Sequence, residues 1–124
     1  MKIRIYYEDT DAGGIVYHTN YIKYCERARS EIFFSQNINP LLDKNSGFVV
    51  RKIEADFLGF ASLGNIVEVT TEIVKIKAVS ILLNQEIYKA NKKIFSMKIL
   101  LAFIKDRKPH IIPEEFKKVF KEKN

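Results

Sequence analysis

A single cysteine, Cys25, stands in a chain of 124 residues, which rules out an internal disulfide and any cysteine-rich zinc site. Long apolar runs are missing as well. The longest, Ile99 to Ile104, is far short of the roughly 20 residues that a membrane-spanning helix needs. The opening Met1-Lys2-Ile3-Arg4-Ile5-Tyr6-Tyr7-Glu8 alternates like a strand and lacks the apolar block of a signal peptide. No internal repeat, low-complexity stretch or Gly/Ser/Pro linker divides the chain. Its length suits one domain over residues 1–124, large enough to bury a core. The expectation is a single cytoplasmic domain with no membrane span, no cofactor and no metal.

Charge is present, and its placement is informative. Lys and Arg exceed Asp and Glu by six. Residues 1–46 carry six of each sign, so the whole surplus lies beyond Ser46. Such a surplus attracts anions, whether nucleic acid, acidic lipid or a phosphorylated small molecule. It equally suits lysines that line solvated strand edges and keep the chain soluble.

Periodicity divides the chain into strand, loop, helix, four strands and a short helix. Lys2 to Glu8 reads as a strand with Ile3, Ile5 and Tyr7 on one face. A helix is expected from about His18 to Gln36, since Tyr21, Tyr24, Cys25, Ala28 and Ile32 share one stripe, and Asn37 and Pro40 end it. From Gly47 the period becomes two, with strands expected at 48–58, 65–76, 79–89 and 94–105. The apolar phase slips near Ile73-Val74, which predicts a bulge. Ala90-Asn91-Lys92 predicts a tight hairpin turn. The last expected strand ends apolar on both faces, as a central strand does. Pro113 with Glu114 and Glu115 opens a last helix with Phe116, Val119 and Phe120 on one stripe. One long helix followed by sequential strands gives an α+β domain whose antiparallel sheet covers that helix.

The chemistry concentrates in Tyr6-Tyr7-Glu8-Asp9-Thr10-Asp11-Ala12-Gly13-Gly14-Ile15-Val16-Tyr17-His18-Thr19-Asn20-Tyr21. A carboxylate sits on a Gly-rich turn that feeds a helix N-terminus, where unpaired N–H groups can hold an anion or a polarised carbonyl. Gly13 and Gly14 allow close backbone approach to a ligand. Donors aimed at a carbonyl oxygen beside a carboxylate are what acyl transfer needs. The plainer reading makes Asp11 a turn residue that stabilises the helix dipole and His18 a surface residue of the first turn. Other motifs fail on spacing. A calcium loop starting at Asp9 would end on Asn20 rather than Glu. No Gly-Lys-Ser/Thr follows the glycines, so this is not a phosphate-cradling P-loop. His18 and Cys25 stand about 10 Å apart along one helix, too far for proton transfer. Cys25 reads as core filler.

The run Arg4-Ile-Tyr-Tyr-Glu-Asp-Thr-Asp-Ala-Gly-Gly-Ile-Val-Tyr-His-Thr-Asn-Tyr-Ile-Lys-Tyr-Cys-Glu-Arg-Ala-Arg29 resembles the signature of the 4-hydroxybenzoyl-CoA thioesterase family almost residue for residue, and most closely its YbgC branch, the Tol–Pal-associated acyl-CoA thioesterases. The likeness continues more loosely through Phe48-Val-Val-Arg51 and Lys75-Ile-Lys-Ala-Val-Ser80-Ile to about Phe103. Phe60 departs from it, where relatives often carry proline. The resemblance implies a hotdog fold, a five-stranded antiparallel sheet wrapped around one long helix. It also implies dimers joined sheet edge to sheet edge, often paired into tetramers, with active sites at the subunit interface. The family's catalytic carboxylate falls on Asp11, and its carbonyl-polarising helix-start amide falls at about His18. Basic residues beyond the helix meet the coenzyme A phosphates, with Lys75, Lys77 and Ser80 the candidates here.

The expected reaction is hydrolysis of an acyl-CoA thioester to a free acid and coenzyme A. Amides around Gly14 to His18, Tyr17 among them, would bind the substrate carbonyl. Asp11 would attack the carbonyl carbon or act as base on water, and the His18 imidazole would orient it. Tyr7 would shape the acyl pocket, or serve simply as a core residue of its strand. Two other readings stay open: a hotdog hydratase or dehydratase, and a non-catalytic subunit that binds acyl-CoA or acyl carrier protein. A nucleic-acid module fits least, since it wants aromatics interleaved with Lys/Arg on an exposed face.

Overall fold

The computed structural model describes residues 1–41 and 43–122. Five strands run in the order β1 (Lys2–Arg4), β3 (Ile66–Ile76), β4 (Ser80–Lys89), β5 (Lys92–Lys105) and β2 (Ser46–Phe57), every neighbouring pair antiparallel. A two-residue strand, β6 (Lys108–Pro109), pairs with the end of β5. Helix α1 (Thr19–Phe34) packs over β3 and β4 and shares the core with the short helix α2 (Glu114–Lys121).

The sheet follows the alternation in the sequence. Ile81, Leu83 and Ile87 of β4 are buried on one face, with Gln85 completing the same row. Near the middle of the sheet, β5 is buried over the consecutive residues Leu101, Ala102 and Phe103, the two-sided burial its composition predicts. The phase slip at Ile73-Val74 is a register shift between Ile73 and Lys75 against β4. A second shift, between Val50 and Lys52, bends β2. The Ala90-Asn91 hairpin has φ of 48° and 68°, the paired positive values of a type I′ turn.

Helix α1 buries Tyr21, Tyr24, Cys25, Ala28 and Phe33. Its C-terminus closes through Asn37 N–H to the Phe34 carbonyl and Ile38 N–H to the Phe33 carbonyl, both 3.0 Å, with Asn37 at φ 59°. That is the Schellman arrangement, and it explains why Asn ends the helix. Beyond it Phe33, Phe116 and Phe120 pack edge to face with centroids 5.2 and 5.3 Å apart. This cluster anchors α2 at the end of the sheet remote from the start of α1. Among the described residues no helix is long and apolar enough to cross a membrane.

Two expectations need correction. Strand β1 stops at Arg4, and the segment expected to continue to Glu8 turns into a single 3₁₀ turn, Tyr7–Asp9. The cause is Asp9, whose carboxylate accepts the Tyr6 N–H at 2.8 Å while its own N–H donates to the Tyr6 carbonyl at 3.0 Å. Tyr7 therefore leaves the Ile3/Ile5 face and is 81% exposed, so neither a strand wall nor a core role describes it. Strand β6 was not foreseen at all. Its turn, Asp106-Arg107 at φ 52° and 67°, carries no glycine to announce it.

Candidate active site

The turn that carries Asp11 is tied down on three sides. Asp11 N–H donates to the Ile15 carbonyl at 2.9 Å, and Gly14 N–H donates to the Asp11 carbonyl at 3.0 Å. Val16 N–H donates to Ala61 and Leu63 N–H to Gly14, which moors the turn to the loop between β2 and β3. Gly14 has φ 79°, a value that favours glycine. At Gly13 a Cβ would stand 3.3 Å from an Asp11 carboxylate oxygen, so a side chain there would push that carboxylate aside by a few tenths of an ångström. That oxygen accepts the Gly13 N–H at 2.8 Å, and the Asp11 side chain otherwise faces solvent.

The two acids of the Asp-x-Asp pair have opposite environments. Asp9 is buried and serves the backbone: its carboxylate holds Tyr6, and its carbonyl accepts Tyr17 N–H at 3.0 Å and Asn20 Nδ2–H at 2.9 Å. The Tyr24 hydroxyl lies buried without a well-formed hydrogen bond; burial, reinforced by the nearby Asp9 charge, holds its ionisation well above the usual range for a phenol. Asp11 is the only one of the two carboxylates offered to a ligand.

At the helix start the amides sort themselves. Gly14, Val16 and Tyr17 all spend their N–H on backbone carbonyls. The expected donor set of Gly14 to His18 therefore narrows, because a bonded amide has no proton to offer a substrate oxygen. The amides of His18 and Thr19 have no acceptor among the described residues. Helix α1 has no side-chain N-cap and no acid in its first turn. An uncapped helix start of this kind presents unpaired donors and the positive end of the dipole.

Around these donors stands an apolar wall. The His18 ring lies 4.6 Å from Tyr17 and 5.9 Å, edge on, from Phe57, and Phe57 packs on Phe95 at 5.2 Å. Tyr21 stacks on Phe95 at 5.6 Å, and its hydroxyl accepts the Ala61 N–H at 3.0 Å. Tyr17, Phe57, Leu58 and Phe60 are about half exposed, so the wall has one side only. Phe60, the departure from the family pattern, is held by Lys89, which donates to its carbonyl at 2.8 Å and lies 5.3 Å from its ring centroid.

Asp11, Gly14, Tyr17 and His18 thus belong to one loop and helix start. Lys75, Lys77 and Ser80 do not join them. They lie at the β3–β4 turn, where Lys77 N–H donates to the Ser80 carbonyl. Strand β3 begins at Ile66, close to the Asp11 loop, and places Lys75 roughly 30 Å farther along the sheet. Cys25 is fully buried and its thiol is pushed up to about 12 by burial, which confirms it as core. Sequence reasoning missed Asn20, whose bond to Asp9 spans eleven residues and leaves no periodic trace. It also missed a buried polar row in which Gln85 accepts from Arg29 and donates to Thr71 and the Cys25 carbonyl.

A family model described as the Thioesterase superfamily matches residues 13–95. The chain is 44% identical over 130 aligned positions to the acyl-CoA thioesterase YbgC of Helicobacter pylori, covering 96% of this chain and 97% of that protein. It is 35% identical to the acyl-CoA thioester hydrolase YbgC of Escherichia coli, with 97% and 93% covered. Among solved structures, a probable thioesterase from Bartonella henselae superposes with a TM-score of 0.85 at 30% identity, covering 91% of this chain and 97% of that one. A 1,4-dihydroxy-2-naphthoyl-CoA thioesterase from Synechocystis shares the fold with a TM-score of 0.90 at 19% identity, with 98% and 94% covered. The antiparallel sheet around one long helix is therefore the hotdog fold, and the chain belongs to the thioesterase superfamily, with the YbgC proteins as its relatives.

Proposed function

We propose that this protein hydrolyses acyl-CoA thioesters, with Asp11 supplying the carboxylate and the His18 and Thr19 amides receiving the carbonyl oxygen. The observation that carries this reading is an exposed carboxylate and an uncapped helix start with unpaired amides in one short segment. Water and the thioester give the free acid and the coenzyme A thiol. As the carbonyl carbon becomes tetrahedral, negative charge collects on its oxygen, where oriented N–H donors stabilise it more than they stabilise the ground state. The ionised Asp11 delivers the nucleophile, by direct attack to an anhydride or by taking a proton from water. The Tyr17, Phe57 and Leu58 wall excludes water from one side of the reacting group.

The other wall, in this reading, comes from a second copy. Strand β2 is a twelve-residue outer strand of the sheet, and Val49 and Val50 on it are exposed. A long open edge favours pairing, and a two-fold pairing through β2 is self-complementary. It would run β2 antiparallel to its copy, so that the Phe57 end of one chain faces the Ser46 end of the other. Lys75, Lys77 and Ser80, remote from Asp11 in their own chain, would then approach the partner's active site. A pair of such dimers would make the tetramer.

The test is thiol release from short-chain, aromatic and long-chain acyl-CoAs by the wild type and Asp11→Asn. Turnover that depends on Asp11 supports the reading. Tight acyl-CoA binding with no turnover by either protein would make the chain a binding subunit instead.

A further inference from the structure

We propose that Asn20 is a positioning residue for this reaction, holding the helix-start amides in register with the Asp11 turn. This rests on the reading of Asp11 and the His18 amide given above. Asn20 is the second residue of α1, where side chains normally point to solvent, yet its Nδ2–H donates to the Asp9 carbonyl at 2.9 Å. The same carbonyl accepts the Tyr17 N–H at 3.0 Å, and Asn20 N–H donates to the Tyr17 carbonyl at 2.9 Å. One carbonyl two residues before Asp11 thus receives a donor from the residue before His18 and another from the residue after Thr19. The two unpaired amides lie between these two attachment points.

The arrangement fixes the helix-start amides relative to the Asp11 turn. The Asp11 turn is moored to the Ala61–Leu63 loop, whereas α1 is moored by its buried stripe on β3 and β4. Tyr21 already ties α1 to that loop by accepting the Ala61 N–H at 3.0 Å, and the Asp9 carbonyl is a second junction between the two supports, one that brackets His18 and Thr19. A carboxylate and an oxyanion donor act together only when both match one transition state, and a misplacement of about 1 Å can cost about a hundredfold. Neither Asn20 nor Asp9 needs to touch substrate for this. Their chemistry is done by a carbonyl with two lone pairs and two donors aimed at it.

The experiment compares Asn20→Ala and Asn20→Gln with Gln36→Ala in the full-length protein. Gln36 makes a hydrogen bond of the same kind far from the site, Nε2–H to the Val119 carbonyl at 2.9 Å, and so measures what losing a tertiary amide bond does to the fold alone. Thermal midpoint, kcat and KM are read on one acyl-CoA. The expected result for Asn20→Ala is a fall in kcat of about tenfold or more with KM within about twofold. Asn20→Gln, which keeps the donor on a longer arm, recovers part of that loss. Gln36→Ala lowers the midpoint similarly and leaves kcat within about twofold. The proposal is overturned if Asn20→Ala keeps wild-type kcat, or if kcat tracks the thermal midpoint across all three variants. Should Asn20→Ala fail to fold, Asn20→Gln decides on the same split. Failure of the underlying reading looks different: there Asp11→Asn itself retains activity.

Discussion

The Asp11 carboxylate accepts the Gly13 amide through one oxygen at 2.8 Å, so the turn that orients the side chain engages only half of it. An asparagine can keep that bond through its carbonyl oxygen while losing the negative charge. Asp11→Asn is therefore expected to fold normally and lose at least about a hundredfold in kcat. Asp9→Asn keeps an acceptor for the Tyr6 N–H and is expected to change turnover much less. Equal rates for wild type and Asp11→Asn would remove the carboxylate from the mechanism.

His18 allows its two functions to be separated. Its φ is −55° and its N–H has no acceptor among the described residues. Proline adopts that φ and here would delete a single unpaired donor. His18→Pro is expected to lose about a hundredfold in kcat, the loss usual for one oxyanion donor. His18→Ala keeps the amide and is expected to fall about tenfold through loss of the imidazole. Full activity in His18→Ala would confine the residue's contribution to its backbone.

Cys25 gives a prediction in the opposite direction. Burial pushes its thiol up to about 12, so the folded protein holds the thiol neutral while the unfolded chain ionises near 8.5. Its contribution to stability is complete below the unfolded value and declines as pH rises from there toward about 12. Below pH 8.5 a thiol reagent should leave the native protein unmodified and its turnover unchanged. Rapid modification with loss of activity would restore a role for the cysteine.

Most of this architecture is legible in the sequence because it follows periodicity and punctuation. Alternation in 79–89, the phase slip at Ile73-Val74 and the Asn37 stop each have a local cause, and each appears where expected. The errors arise where a side chain overrides the local pattern. Asp9 captures the Tyr6 amide and diverts an alternating segment out of the sheet, carrying Tyr7 into solvent. The loop chemistry of Asp11, Gly14 and His18 was visible as a motif. Which amides were already spent was not, since Tyr17 and Val16 donate their N–H to the Asp9 and Ala61 carbonyls, partners set by the tertiary fold. Asn20 was invisible for the same reason.

The exposed β2 edge makes a measurable claim about assembly. Light scattering at micromolar concentration should give at least a dimer. Val50 is 50% exposed in the single chain, so Val50→Asp costs the isolated fold little while placing like charges near a two-fold axis. It is expected to shift the protein toward monomer and lower activity together. A fully active monomer would show that one chain's wall is enough.

The last prediction concerns where the coenzyme's phosphates are received. Lys75, near the end of β3, and Lys77, in the turn just beyond it, lie roughly 30 Å from the Asp11 end of that strand, so if they bind those phosphates they do so for the partner's site. Contacts remote from the reacting carbonyl are present in ground and transition states alike and act on KM more than on kcat. Lys75→Gln with Lys77→Gln should raise KM for acyl-CoA, with added salt acting in the same direction on the wild type, while a truncated thioester lacking the nucleotide should respond to neither. Mixed dimers then decide the geometry. Pairing this double variant with Asp11→Asn creates one site with an intact Asp11 and, in trans, intact lysines. If the lysines serve the partner, the mixture regains activity with a wild-type KM. If they serve their own chain, every site with Asp11 lacks its lysines and KM stays high. Equal losses on full and truncated substrates would return these lysines to a structural or solubilising role.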